Sequence, residues 1–190
     1  MAKICPKCGC TATEMYNSMV KRNFSCTVCD WKSTDDDTID ISYKDEKTAP
    51  LSNLFPHKFK IGGKNDNLTC LSMESFIQSL REPDILIQEK IYSEYSGMMA
   101  YKMRRMLRDW RKTQTVFWLG KEIKREALDY TDLITMAYDK LFEQNILFRE
   151  FLKRTKDKYL VHNIGCHDKK ETLLTEEEYI SQLLRLRKKF

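Results

Sequence analysis

"CLSMESFIQSLREPD" (residues 70–84) is the stretch on which the reading of this chain turns. Ser72 is placed to cap a helix, and Pro83, which lacks an amide hydrogen, stops it near Glu82. Met73, Phe76, Ile77 and Leu80 recur at helical spacing and predict a buried face. Glu74 and Gln78 lie four apart on another face, with Arg81 one turn beyond Gln78. A carboxylate, a carboxamide and a guanidinium in line are either a solvated edge or the wall of a site.

Working outward, "HKFKI" (57–61) and "NLTCL" (67–71) flank a Gly-Gly and Asn/Asp-rich turn and predict a hairpin. Asp84 caps a predicted helix in "ILIQEKIYSEY", and Ser96 caps another running through "MMAYKMRRMLRDWRK" (98–112). "TVFWLG" (115–120) reads as a buried extended segment. A helix is predicted over about 132–144, with Leu133, Met136, Ala137 and Leu141 on one face, and Asn145 is placed to cap the next. "KYLVHNIG" (158–165) reads as a strand, and Thr175 with Glu178 forms a capping box for a last helix ending in cationic "RLRKKF". The fold class is α+β, mainly helical, with a few short strands.

A chain of 190 residues, 42% hydrophobic and 32% charged, suits a soluble protein with a real core. No apolar run approaches the roughly 20 residues needed to cross a bilayer, and "MAKICPKCGC" lacks the apolar stretch of a signal peptide. The expectation is a cytoplasmic protein with no membrane partner, whose cysteines are metal ligands or thiols before they are disulfides. The net charge of +5 hides an asymmetry. Lys102–Arg125 carries nine cations against two acids, while Asp30–Pro50 carries seven acids against three lysines. The basic run is either the solvated face of a helix or a phosphate-facing surface.

Cys5, Cys8, Cys26 and Cys29 form two C-x2-C pairs separated by seventeen residues. Each pair sits in a short turn that sets two thiolates on a tetrahedral ion, which predicts a small β zinc ribbon over 1–33 with one structural zinc. Two disulfides or a redox pair are the competing readings. Four thiolates leave no open coordination position, so catalysis is expected to need no metal. Lys7, Lys21, Arg22, Phe24 and Trp31 offer cations and aromatics to DNA or RNA. Residues 34–49 read as an acidic polar linker and 50–190 as the main domain.

The ordered series "LSNLFP", "SMESFIQSLR", "QTVFWLGK", "AYDKLFEQNILFREFLKRTKDKYLVHNIG" and "LTEEEYISQLLRLR" resembles the NADAR (NAD and ADP-ribose associated) family over about residues 50–190. The resemblance implies N-glycosidic hydrolysis, either removing ADP-ribose from guanine in nucleic acid or cleaving early riboflavin-pathway intermediates. By position it carries Asn53, Glu74, Gln78 and Trp118 into the site, with Asn145 and Thr155 in packing and capping roles. Two departures stand out. Many members have Lys where this chain has Arg81, whose group stays protonated and cannot trap an opened ribose as an amine, although it can clamp a pyrophosphate or hold a carboxylate. Many also carry D-x-x-W-G where this chain reads "HNIGCHDKKETLLTEEEY", leaving Asp168 or Glu176 as the second carboxylate.

The chemistry then follows from charge. Breaking a C–N glycosidic bond builds positive charge on the ribose and negative charge on the base. Glu74 is expected to stabilise the ribose and orient water, Gln78 and Asn53 to hold its hydroxyls, and Trp118 to stack on a base. His162 is a candidate donor to the leaving group or a phosphate. The leading expectation is an ADP-ribosyl-guanine hydrolase contacting nucleic acid through the ribbon and the basic run. The alternatives are an N-glycosidase on small phosphoribosyl metabolites and a binding module without turnover.

Overall fold

Ser72 starts its helix as the sequence asks. Its hydroxyl accepts the Ser75 amide at 3.0 Å, and the Ser75 hydroxyl accepts the Ser72 amide at 3.0 Å, so two orphan donors are satisfied reciprocally. The resulting helix, α1 (Met73–Ser79), closes short of the predicted stop, because the Arg81 and Glu82 amides turn back to the Gln78 and Ser79 carbonyls. Met73, Phe76, Ile77 and Leu80 are buried as expected, but so are Ser75, Gln78, Ser79 and Arg81. The polar edge of this helix is not a solvated face.

The computed structural model describes residues 3–4, 10–16, 22–26, 28–29, 38–62, 67–156 and 158–190. At the start, β1 (Lys3–Ile4), β2 (Thr11–Tyr16) and β3 (Arg22–Cys26) form an antiparallel sheet in that order. The zinc prediction falls largely outside the described residues, since Cys5 and Cys8 and the side chain of Cys26 are not among them. Next, β4 (Thr38–Asp40) pairs in parallel with β9 (Tyr159–Val161), and Ile41 behind it is fully buried. The predicted linker 34–49 is therefore, from residue 38 on, part of the main body. Its alternation of Ile39 and Ile41 was masked by the surrounding acids.

The hairpin is present as β5 (Phe59–Ile61) and β6 (Leu68–Cys70), followed after α1 by α2 (Ile85–Glu94) and α3 (Gly97–Met103). Helix α3 stops well before the predicted Lys112, for a reason that lies in the turn just after α1. The Arg108 amide, which would continue the helix, bonds Glu82 Oε1 at 2.6 Å, and the Arg104 carbonyl is taken by Arg81 Nη1 at 2.5 Å. A second hairpin, β7 (Thr115–Trp118) with β8 (Lys121–Lys124), leads to α4 (Leu128–Gln144) and α5 (Ile146–Arg154). Asn145 makes no side-chain cap; its amide instead donates to the Lys58 and Leu141 carbonyls. Helix α6 (Glu176–Arg187) begins with the predicted box, Thr175 and Glu178 exchanging bonds of 2.8 and 3.1 Å. The core centres on α1 and α4, where Phe76 meets Phe59 and Trp118 edge-on. Among the described residues no helix is long and apolar enough to cross a membrane.

Candidate active site

A cavity of about 1040 Å³ opens between α1 and the start of α6. On the α1 wall, the Glu74 amide donates to the Asn53 carbonyl at 2.8 Å. Asn53 Oδ1 accepts the Tyr138 hydroxyl at 2.7 Å, which leaves the Asn53 NH2 group to face a ligand. Gln78 Nε2 donates to Glu74 Oε1 at 3.0 Å, and Gln78 Oε1 accepts from Arg81 Nη1 at 3.3 Å. The carboxamide orientation is thus fixed from both sides. Burial pushes the Glu74 carboxyl above the ordinary carboxylate value, and the Gln78 bond and the Arg104 charge offset only part of this.

Arg81 itself is architectural. Its Nε and Nη2 donate to the Arg108 carbonyl at 3.0 and 2.8 Å, and Nη1 reaches the Arg104 carbonyl as well as Gln78. With four of the guanidinium's five N–H groups so committed, it clamps backbone rather than the pyrophosphate or carboxylate expected. It thereby holds the segment after α3, from which Arg104, Arg105 and Arg111 line the cavity.

The opposite wall comes from the ends of β4 and β9 and the start of α6. His162 Nδ1 donates to the Ile41 carbonyl at 2.8 Å, and its ring stands edge-on to Tyr179 at 5.3 Å. Glu176, 6% exposed, accepts the His162 amide at 3.3 Å and faces His167 Nδ1 at 3.4 Å. Of the two candidate second carboxylates, Glu176 borders the cavity. Asp168 is exposed and does not; it accepts the Lys170 amide at 2.8 Å in a surface turn.

Trp118 is likewise away from the cavity. It is 8% exposed and packs edge-on to Phe76 and Tyr92 at 5.1 and 5.9 Å, so its place is the core rather than a stacking platform. Thr155 closes α5 through a bond to the Leu152 carbonyl. The sequence reading did not single out Tyr43, Lys44, Tyr101, Arg104, Arg105 and Arg111, which all line the cavity. The basic run was a signal for the arginines, but it does not act as one surface. Arg125 is buried against Glu178, Lys121 pairs with Asp129, Lys124 with Glu122, and Arg108 donates to the Thr115 carbonyl.

Residues 46–188 match the family model described as bacteriophage protein GP30.3. This chain belongs to the bacteriophage GP30.3 family. A relative from Enterobacteria phage T4, described as an uncharacterized 17.1 kDa protein in the Gp30–rIII intergenic region, is 32% identical over 141 residues, covering 74% of this chain and 90% of the relative. Among solved structures, Escherichia coli YbiA, a NADAR-family protein determined by NMR, superposes with a TM-score of 0.55 at 21% identity, covering 83% of this chain and 86% of YbiA. The fold is therefore NADAR-like, as the resemblance implied. Glu74, Gln78, Arg81, His162 and Glu176 all lie within the GP30.3-family match, whereas β4 and the cavity residues Tyr43 and Lys44 precede it.

Proposed function

We propose that this chain hydrolyses N-glycosidic bonds, and in particular removes ADP-ribose from guanine bases of DNA or RNA. The observation that carries the proposal is Glu74, a carboxylate above its ordinary pKa on the wall of a cavity that also presents Arg104, Arg105 and Arg111. A carboxylate made more basic by burial is suited to take a proton from water while countering positive charge on the ribose. The arginines supply the charge that a pyrophosphate requires, and the exposed ring of Tyr43 offers a face to a base, while the Tyr101 ring carries the Arg104 guanidinium at 3.7 Å. Arg81 rules out an amine trap at its position, so the reading is direct attack by water.

The test is incubation with an oligonucleotide carrying ADP-ribosylated guanine, beside the riboflavin-pathway phosphoribosyl intermediates, following product release. Cleavage of the oligonucleotide is expected; cleavage of the intermediates alone moves the substrate to small metabolites, and tight binding without turnover makes the chain a binding module. Glu74→Gln is expected to lower kcat by about 10²–10⁴-fold. It should also raise the melting temperature at neutral pH. A carboxyl with a raised folded pKa loses stability as pH rises from its ordinary value through the folded one, and glutamine removes that penalty.

We also propose one structural zinc on Cys5, Cys8, Cys26 and Cys29. The strand pairing supports it: Ile4, next to Cys5 in sequence, pairs with Thr11, and Cys26 pairs with Ala12, so the end of β1 and the end of β3 lie at the same end of the sheet. Elemental analysis is expected to find one zinc per chain. Chelation should weaken binding to long nucleic acid while sparing a nucleoside-sized substrate, and equal loss of both would make the ribbon purely structural.

A further inference from the structure

We propose that His162 is the general acid of this site, giving the proton on Nε2 to the departing base, and that strand β4 positions it. The inference rests on the N-glycosidase reading above. Parallel pairing of Asp40 with Val161 brings Ile41 beside His162, where the Ile41 amide donates to the Val161 carbonyl at 2.9 Å. The Ile41 carbonyl then accepts from His162 Nδ1 at 2.8 Å. A carbonyl can only accept, so Nδ1 keeps its hydrogen whether the ring is neutral or cationic, and Nε2 is the nitrogen that gains and loses a proton. Among the described residues Nε2 has no hydrogen-bond partner, and the ring borders the cavity.

The ring is held from its other sides. Asp40 accepts from both the amide and the side chain of Asn163, at 3.1 and 3.0 Å, locking the residue after His162 to β4. Gly165 lets the chain pass closely, since a Cβ there would stand 3.1 Å from His162 Cδ2 and 2.8 Å from Glu176 Cβ. Tyr179 lies against the ring and 6.4 Å from the Tyr138 ring, whose hydroxyl donates to the Asn53 side chain, while the Asn53 carbonyl accepts the Glu74 backbone amide. One tyrosine pair thus links the His162 ring to the backbone that starts α1.

The step balances without a co-reactant. Water oxygen bonds to ribosyl C1 as the C1–N bond breaks, and Glu74 takes the water proton. The electron pair of the broken bond goes to the base nitrogen, which receives the His162 Nε2 proton. Exchange with solvent resets both groups, so the net reaction is addition of water across C–N.

The titratable groups around the ring are Asp40 from β4, Cys166 and His167 from the following loop, and Glu176 and Tyr179 from α6. The test therefore reads leaving-group dependence rather than pH. His162→Gln is assayed on the ADP-ribosylated guanine substrate and on its N7-methylated analogue, whose base already carries positive charge and departs without a proton. The expected loss in kcat is about 10²–10³-fold on the first substrate and less than tenfold on the second. Asp40→Ala is expected to give a smaller loss with the same leaving-group dependence, because it loosens the ring without removing it. Equal losses on both substrates, or none on either, would overturn the assignment while leaving the N-glycosidase reading intact. A wild-type chain that cleaves neither substrate overturns both.

Discussion

Each wall of the cavity is pinned by one buried arginine, and the two are pinned in different ways. On the α1 wall, Arg81 donates to neutral acceptors only, the carbonyls of Arg104 and Arg108 and the Gln78 side chain. On the α6 wall, Arg125 sets two nitrogens on Glu178 at 3.1 and 2.5 Å and sends Nε to the Thr172 carbonyl at 3.1 Å. Glu178 also caps α6, so one ion pair fixes both the helix start and the loop leading into it. Neutral acceptors near in sequence suffice where a helix already holds the wall. A wall gathered from distant segments is held here by a charge pair, and it inherits the vulnerabilities of one.

The sharpest way to break this comparison is Arg125→Ala. It leaves Glu178 partly buried with only the exposed Lys169 near it, at 3.8 Å, and the expected destabilisation is about 3 kcal/mol in urea unfolding. A loss below about 1 kcal/mol, the range of a surface pair, would show that the α6 wall stands without the clamp. Making both partners neutral, Arg125→Met with Glu178→Gln, should recover most of the loss, because no buried unpaired charge remains and glutamine keeps an oxygen for the Thr175 amide.

Arg81→Lys tests the other clamp and should be milder. An ammonium is a point donor and cannot span both the Arg104 and Arg108 carbonyls, so about 1–3 kcal/mol is expected from the acceptor left unpaired. KM should rise more than kcat falls, since the segment carrying Arg104 and Arg105 loosens while Glu74 stays in place. A fall in kcat with KM unchanged would instead give Arg81 a role in the chemistry.

Acid separates the two walls without any mutation. Burial pushes the Glu178 carboxyl up, but the Arg125 bonds and the Thr175 amide outweigh it, leaving the folded value below the ordinary 4.5. Its contribution is therefore fully present above that value and is lost as pH falls through the folded one. Hydrogen-exchange protection at Leu173–Glu178 should drop in that window while α1 amides keep theirs. Simultaneous loss in both places would mean that the walls open as one unit.

How legible each wall was in the sequence follows the same division. Helix α1 was readable because cap, apolar face and polar row lie within ten residues, and local spacing reports local geometry. The Thr175–Glu178 box was readable for the same reason. What the sequence hid depends on contacts made across the fold. Strand β4 sits in an acidic stretch and becomes a strand only by pairing with β9, some 120 positions later. Arg104 and Arg105 looked like part of a longer helix, and α3 stops before them because Arg81 and Glu82, in the turn after α1, take its bonds. Trp118 was ambiguous because an apolar run around an aromatic reads alike in a core and in a stacking platform.

The smallest expected effect bears on the α6 wall itself. Asp168→Asn keeps a side-chain oxygen for the Lys170 amide, and the residue is exposed and outside the cavity lining, so kcat within twofold of wild type is expected from a surface change of this kind. Glu176→Gln, by contrast, keeps an acceptor for the His162 amide but removes the charge facing His167, and it should lower kcat. Were Asp168→Asn to abolish turnover instead, residues 166–172 would have to rearrange on substrate binding and carry that carboxylate inward. The loop is held by the Arg111–Glu171 pair, the Gln114 bond to the Lys170 carbonyl and the Arg125 bond to the Thr172 carbonyl. Such a movement would break contacts to three separate residues, which is the physical reason to expect Glu176, not Asp168, as the carboxylate of this wall.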